Sequence, residues 1–126
     1  MSLDIKVMPL GPISANCYIL TDKKSRESAV IDPGDFNEAL KNAVKDLNIK
    51  YILLTHGHFD HIADCVTLAQ STGAKVVSNW EIYEWLTRQK LTRLHPMNTG
   101  GKWDFGPFSV RCTAAQHSSG LPDGGY

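Results

Sequence analysis

An apolar run at residues 51–54 ends abruptly in a cluster of ligand-type side chains, and no other feature constrains the fold as strongly. The run has the composition of a short buried strand, while apolar residues take helical spacing from Ile62 onward. In extended chain, side chains two positions apart point the same way, so His56 and His58 can converge beyond the strand. The cluster comprises His56, His58, Asp60 and His61. It is therefore predicted to lie at a strand-to-helix junction.

The spacing His-x-His-x-Asp-His within this cluster is typical of a metal site. Gly57 permits the chain to bend between the first two histidines, and Asp60 and His61 follow as the helix begins. Two alternatives are a His-rich turn in solvent and a hydrogen-bonded cluster in the core. Four ligand-type groups in six positions favour the metal site over both alternatives.

Helices and strands alternate along the chain. Apolar residues at helical spacing predict three helices, over about 36–47, 62–72 and 79–89. Capping boxes are predicted for the first and third helices, at Asp35 with Glu38 and at Ser78 with Glu81. Strands are predicted from Ile5 to Met8 and over 16–21, 28–31, 51–54, 75–77, 102–105 and 108–113. This order indicates an α/β (α+β) fold with a mixed sheet.

Several aromatic residues and one histidine lie outside the cluster. Trp80, Tyr83 and Trp85 could line a substrate pocket, but aromatic residues at helical spacing favour packing in the core. His95 precedes a proline and is predicted to lie in a loop, so it is left out of the site. Gly106 and Pro107 predict the turn of a hairpin.

The composition is that of one ordinary globular domain over residues 1–126. Thirteen basic residues balance thirteen acidic ones, so no net field would attract nucleic acid or a membrane surface. No apolar run approaches the roughly 20 residues of a membrane span, and the first residues do not resemble a signal peptide, so we expect a cytoplasmic protein. Cys17, Cys65 and Cys112 are expected to be buried free thiols rather than disulfide partners.

The segment Thr55–His61 resembles the signature of the metallo-β-lactamase superfamily of metal-dependent hydrolases. Residues 11–20 and 31–34 resemble the first strands of glyoxalase II-like members. The part from about Tyr51 to Tyr126, with Ala115–Ser119, resembles a branch of uncharacterised metal-dependent hydrolases. The resemblance implies a metallo-β-lactamase-like αββα sandwich, of which this chain carries the N-terminal half, with helices on one face of the sheet.

The resemblance also implies roles for individual residues. His117 follows the last predicted strand and matches the family's third histidine ligand, beside His56 and His58. Three imidazoles suit zinc, with iron or manganese as other candidates. A metal held there would lower the pKa of bound water to about 7 and so supply hydroxide for hydrolysis. Asp60 would act as the base or, together with His61, would bind a second ion.

Two further aspartates differ in how well they match the family. Asp32 corresponds to an aspartate that braces the metal site from below, although Asp-Pro-Gly is also ordinary turn chemistry. The family's later bridging aspartate and last histidine have no counterpart here. Asp123 lies in the right region but at the wrong spacing, so it is not assigned that role.

These observations predict a hydrolase that acts on a small-molecule ester, thioester, lactone or phosphodiester. The alternative is a non-enzymatic half-domain that keeps the metal motif and acts through self-assembly. A half-fold is expected to leave one apolar sheet face uncovered, because the predicted helices can cover only the other face. We therefore expect a homodimer or a complementing chain as partner.

Overall fold

Strands and helices follow one another in the order that the sequence predicts, with one additional strand at Leu94–Pro96. The computed structural model describes residues 3–10, 15–55, 64–98 and 100–112. Its strands are β1 (Leu3–Leu10), β2 (Ala15–Asp22), β3 (Glu27–Ile31), β4 (Asn48–Leu53), β5 (Lys75–Ser78), β6 (Leu94–Pro96), β7 (Lys102–Asp104) and β8 (Ser109–Arg111). Its helices are α1 (Glu38–Val44), α2 (Cys65–Thr72) and α3 (Trp80–Arg88).

The first six strands form one mixed sheet in sequence order, from β1 to β6. β1, β2 and β3 are antiparallel neighbours, as expected for strands joined by short turns. β4, β5 and β6 continue parallel to β3, because a helix or a longer loop returns the chain between them. The parallel strands therefore all end at one edge of the sheet, and the segment that follows β4 begins there.

One face of the sheet forms the hydrophobic core with the three helices. The strand register places four buried residues on this face: Ile19, Val30, Ile52 and Val76. They cluster with buried residues of all three helices, which are Leu40, Val44, Cys65, Leu68, Ala69, Ile82, Trp85 and Leu86. The helices thus cover the face that the sequence pattern predicts they cover.

The opposite face of the sheet is covered only in part. The hairpin of β7 and β8 packs its rings on Tyr51, which corrects the expectation that nothing in this chain covers that face. The sequence pattern showed a hairpin but not where it folds back. Farther along the same face, Leu3, Ile5 and Val7 of the outer strand β1 remain 36%, 60% and 50% exposed. We call these three side chains the β1 strip.

Both predicted capping boxes are displaced from the observed helix starts. The N-cap of α1 is Asn37 and not Asp35, and the N-cap of α3 is Asn79 and not Ser78. Each asparagine has the extended backbone of a cap, and its Oδ1 accepts a hydrogen bond from the amide three residues later. Ser78 is instead the last residue of β5, where its carbonyl accepts from the Met97 amide.

The helices are also shorter than predicted, because their ends lie inside the periodic segments. α1 ends at Val44, although Leu47 still packs against the core. α2 begins at Cys65, and residues 62–63 of the predicted helix lie outside the described residues. Gly73 follows α2 in the left-handed conformation that glycine adopts without strain, and the helix ends at residue 72, as predicted.

His95 lies in strand β6 and not in a loop. Leu94–Pro96 pairs with Val76–Ser78, and three residues that include a proline give too short a pattern to recognise. The aromatic prediction is correct for Trp85, which is buried, and wrong for Trp80, which is 49% exposed and stacks on Tyr83. Trp80 is the first residue of α3, where a side chain need not face the sheet.

The three cysteines are free, as predicted, and Cys17 and Cys65 are buried whereas Cys112 is partly exposed. Cys112 follows the short strand β8 of the hairpin, which lies outside the core. Among the described residues, no helix is long and apolar enough to cross a membrane.

Candidate metal centre

All five predicted metal ligands lie outside the described residues, and so does Asp123. The ligands are His56, His58, Asp60, His61 and His117. The structure does describe the residues that lead into and out of the motif. These flanking residues show how the fold holds each end of the segment that carries the ligands.

Strand β4 carries the chain to the motif. Its hydrogen bonding to the neighbouring strand continues one residue past the strand, where the Leu54 amide donates to the Val77 carbonyl at 3.0 Å. Thr55 is the last residue before the histidines. The chain is therefore held in place up to the residue that precedes His56.

Asp32 fixes the position of Thr55. Its Oδ1 accepts from the Thr55 amide at 2.9 Å, and its Oδ2 accepts from the Thr55 hydroxyl at 2.6 Å. Its own amide donates to the Leu53 carbonyl at 3.0 Å. Asp32 is buried and has a φ of +55°, a conformation that aspartate tolerates better than most residues. The sequence left bracing and turn formation open, and the contacts show that Asp32 braces the end of β4.

The far side of the motif is tied to the same loop. The Asp64 Oδ2 accepts from the Phe36 amide at 2.9 Å, immediately before helix α2 begins. Asp32 and Phe36 belong to one short connection between β3 and α1, so residues 55 and 64 are both anchored to it. Sequence reasoning missed Asp64, because its partner is 28 residues away and no local spacing indicates the contact.

The charge of Asp32 acts on two buried thiols, those of Cys17 and Cys65. Burial raises the pKa of Cys17 to about 12, and the Asp32 carboxylate adds to this effect. Burial, with the same carboxylate, raises the pKa of Cys65 to about 12 as well. Both thiols are therefore protonated at neutral pH, whereas a metal ligand or nucleophile must be a thiolate.

The β7–β8 hairpin returns the chain to the same edge of the sheet. The Met97 amide donates to the Ser78 carbonyl at 2.7 Å, which places residue 97 beside the end of β5. The open end of the hairpin is close by, where the Gly100 amide donates to the Cys112 carbonyl at 2.6 Å and the Cys112 amide donates to the Gly101 carbonyl at 2.9 Å. The segment leading to His117 therefore starts near the edge at which β4 ends.

The residue types of the motif suit a metal ion. Within residues 3–10, 15–55, 64–98 and 100–112, no group of three or more His, Cys, Asp or Glu side chains is placed to hold a metal. The donor set of the motif consists of imidazoles and carboxylates, which suit zinc, iron and manganese. Both chain segments that carry this set leave the described structure at one edge of the sheet.

Known proteins share both the sequence and the fold. Residues 10–108 match the model of the "Metallo-beta-lactamase superfamily". A protein of Methylacidiphilum infernorum named "UPF0173 metal-dependent hydrolase" is 50% identical over 80 residues, which are 64% of this chain and 35% of that protein. The chain thus spans about a third of the length of this relative.

Solved structures show the same fold. Igni18, a metallo hydrolase from Ignicoccus hospitalis, superposes with a TM-score of 0.72 at 29% identity, over 96% of this chain and 52% of that one. The di-iron-bound form of TTHA1623 superposes with a TM-score of 0.59 at 26% identity, over 78% of this chain and 56% of that one. The chain corresponds to about half of each fold, as the sequence predicts.

The Asp32–Thr55 contact generates a stability prediction. Asp32→Ala leaves the Thr55 amide and hydroxyl without this acceptor, so the free energy of unfolding should fall by about 2–3 kcal/mol in urea titration. Asp32→Asn keeps one acceptor oxygen and should lose roughly half as much. Asp35→Ala, in the same loop, is the control and should change it by less than about 0.5 kcal/mol. Equal losses for Asp32→Ala and Asp35→Ala would contradict the bracing role.

Proposed function

Because the chain belongs to the metallo-beta-lactamase superfamily, we propose that it carries the metal-binding half of a metal-dependent hydrolase. The observation that supports this most directly is the braced end of β4, where Asp32 fixes the residue before His56. Thr55 and Asp64 are anchored on the two sides of the His-x-His-x-Asp-His segment, and these anchors would help to order several ligands. Relatives named as metal-dependent hydrolases support the same reaction class.

His56, His58 and His117 would hold the first metal ion in this proposal. Neutral imidazoles are common zinc ligands, and the first two are two positions apart, a spacing that would put both on the same side of an extended chain. We propose zinc as the native metal. Iron is the main competitor, because TTHA1623 is described in a di-iron-bound form, and manganese accepts the same donor types.

Asp60 is the proposed catalytic base. The metal, when bound, supplies Lewis acidity that lowers the pKa of water and polarises the bond to be cleaved. Asp60 would take the proton from the attacking water on a carboxylate oxygen and hold that water in line with the substrate. If a second ion binds, Asp60 and His61 would be its ligands instead. Either role makes a carboxylate at this position necessary for turnover.

The proposed substrates are small molecules with an ester, thioester, lactone or phosphodiester bond. The resemblance of residues 11–20 and 31–34 to glyoxalase II-like proteins supports a thioester or ester most directly. Balanced charge gives no support to a nucleic-acid substrate. The free thiols of Cys17 and Cys65 support the cytoplasm as the compartment, because reducing conditions keep cysteines unpaired.

We further propose that a second polypeptide surface completes the fold, in a homodimer or with a complementing chain. The β1 strip supports this proposal, because three large apolar side chains alternate on one face of an outer strand and remain exposed. The hairpin covers only the part of this face that surrounds Tyr51. A two-fold axis needs only one self-complementary surface, which makes a homodimer the simplest arrangement.

The ligand assignment predicts one tightly bound metal ion per chain. Elemental analysis of protein purified without added metal should find close to one equivalent, and His58→Ala should lose most of it because one of three imidazoles is removed. Glu84→Ala is the control, since Glu84 is a ligand-type side chain that is exposed on α3, away from the motif in sequence. Equal metal content in wild type and His58→Ala would refute the assignment.

The role of Asp60 predicts a loss of turnover without loss of the first metal. Asp60→Asn should reduce kcat at least about 100-fold with an ester or thioester substrate, as is usual when a general base is removed. The wild-type rate should rise with pH through neutrality, because a bound metal would lower the pKa of the attacking water to about 7. Full activity of Asp60→Asn would exclude the base role.

The partner proposal predicts concentration-dependent association. Light scattering should show twice the chain mass, and Ile5→Lys should shift the protein towards the monomer by placing a charge in the β1 strip. Asp4→Asn is the control, because it changes the charge by the same amount on the opposite side of β1. A compact, cooperatively folded monomer at every concentration would rule out the homodimer.

A further inference from the structure

Tyr51 connects strand β4 to the tip of the β7–β8 hairpin. Its hydroxyl donates to the Phe105 carbonyl at 2.9 Å. Its ring packs on the rings of Phe105 and Phe108, with centroids 4.9 Å and 6.0 Å away. The Phe105 amide in turn donates to the Phe108 carbonyl at 2.7 Å, which closes the turn. The hydrogen bond and the ring contacts therefore hold one short turn against β4.

Strand β6 provides a second contact for the same hairpin. The His95 ring lies 5.2 Å from the Trp103 ring and 5.1 Å from the Phe105 ring. Burial, with a smaller effect of the Lys75 charge, lowers the pKa of His95, so the imidazole is neutral at pH 7 and suits an aromatic neighbour. These ring contacts attach the hairpin to β6, and ring packing is less directional than a hydrogen bond.

The open end of the hairpin lies at the other end of the parallel strands. The Met97 amide binds the Ser78 carbonyl at the end of β5, while Tyr51 pairs with Lys75 at the start of β5. The hairpin thus runs along the sheet, with its tip at Tyr51 and with Gly100 and Cys112 at the edge where β4 ends. Its last strand, β8, points from the tip towards that edge.

We infer that Tyr51 is a positioning residue that sets where the hairpin lies along β4 and thereby where the chain delivers His117. This inference rests on the proposed function, in which His117 is the third ligand. β4 then carries His56 and His58 directly and places the third histidine through the Tyr51–Phe105 hydrogen bond. His117 lies five residues after Cys112, and five residues reach at most about 17 Å, so the position of Cys112 limits where His117 can be.

A directional contact between the hairpin and β4 is needed because few hydrogen bonds join the two short strands of the hairpin itself. β7 and β8 contain three residues each, and ring packing tolerates sliding in a way that a hydrogen bond does not. Burial, with the Glu27 charge, raises the pKa of Tyr51, so its hydroxyl remains a donor well above neutral pH. The backbone carbonyl of Phe105 can only accept, so this bond has one polarity and one geometry.

The test compares Tyr51→Phe with Tyr18→Phe and uses Co(II) as the probe. Tyr18 lies on the same sheet face, partly exposed, and the described part of the chain shows no hydrogen bond from its hydroxyl. Tyr51→Phe should weaken Co(II) binding about three- to tenfold, which corresponds to the loss of one hydrogen bond. Tyr18→Phe should bind Co(II) as the wild type does.

The visible spectrum of the Co(II) protein separates positioning from a general loss of stability. At saturating Co(II), the spectrum of Tyr51→Phe should change in the direction of His117→Ala, because both variants disturb the same ligand. An unchanged Tyr51→Phe spectrum with an unchanged affinity would overturn the inference and leave the proposed function intact. A His117→Ala spectrum identical to that of the wild type would also overturn it, because His117 would then not be a ligand.

Three further outcomes are decisive. Phe105→Leu separates the hydrogen bond from the ring packing, because it keeps the carbonyl acceptor and removes the ring. Its Co(II) spectrum should match that of the wild type, and a shift as large as that of Tyr51→Phe would overturn the inference. If Tyr51→Phe fails to fold, Tyr51→Met removes the same hydroxyl donor and should shift the spectrum towards that of His117→Ala, and no shift would overturn the inference. A wild-type chain that binds no Co(II) would overturn the proposed metal site together with this inference.

Discussion

The structure depends on the contact between Asp32 and Thr55. A buried carboxylate there accepts from the amide and the hydroxyl of one residue, the last residue before the motif. Hydrogen bonds to a charged acceptor are stronger than neutral ones and have a defined direction. The left-handed backbone of Asp32 turns its carboxylate to this position, and the Leu53 carbonyl holds its amide. A local strain thus supports the point from which the ligand segment leaves β4.

The two faces of the sheet are covered to different extents. One face is closed by α1, α2 and α3, which gives the chain a core of its own. The other face is covered by the hairpin near Tyr51 but leaves the β1 strip exposed. This asymmetry agrees with a chain that spans about half of the Igni18 fold. The covered half of the second face is also the half that adjoins β4.

Much of the fold could be predicted from periodicity, because burial alternates along β2 from Asn16 to Leu20 and recurs at helical spacing along α3. What could not be predicted depends on contacts distant in sequence or on backbone geometry. The caps Asn37 and Asn79 each lie beside another possible cap, and only the φ and ψ angles decide between the two. Strand β6 has too few residues to show a periodic pattern, and only its pairing with β5 identifies it as a strand.

The candidate site also combines features that could be predicted from the sequence with features that could not. The cluster at residues 56–61 could be recognised because its ligands are adjacent in sequence, and the bracing aspartate could be identified from the family pattern. The anchor from Asp64 to Phe36 and the Tyr51–Phe105 bond could not be predicted, since each joins segments at least 28 residues apart. Neither partner residue carries a local signature of the contact.

The sequence separation of the ligands explains why the hairpin matters. His56 and His58 follow directly in sequence on Thr55, the residue that Asp32 holds at the end of β4. His117 is 59 residues after His58, and a chain of that length could place it almost anywhere unless the fold had already closed the loop. The sheet closes most of that loop through β5 and β6, and the hairpin brings the chain as far as Cys112. In the proposed site His117 is the ligand most distant in sequence, so the affinity for the metal would follow how firmly the hairpin is held against β4.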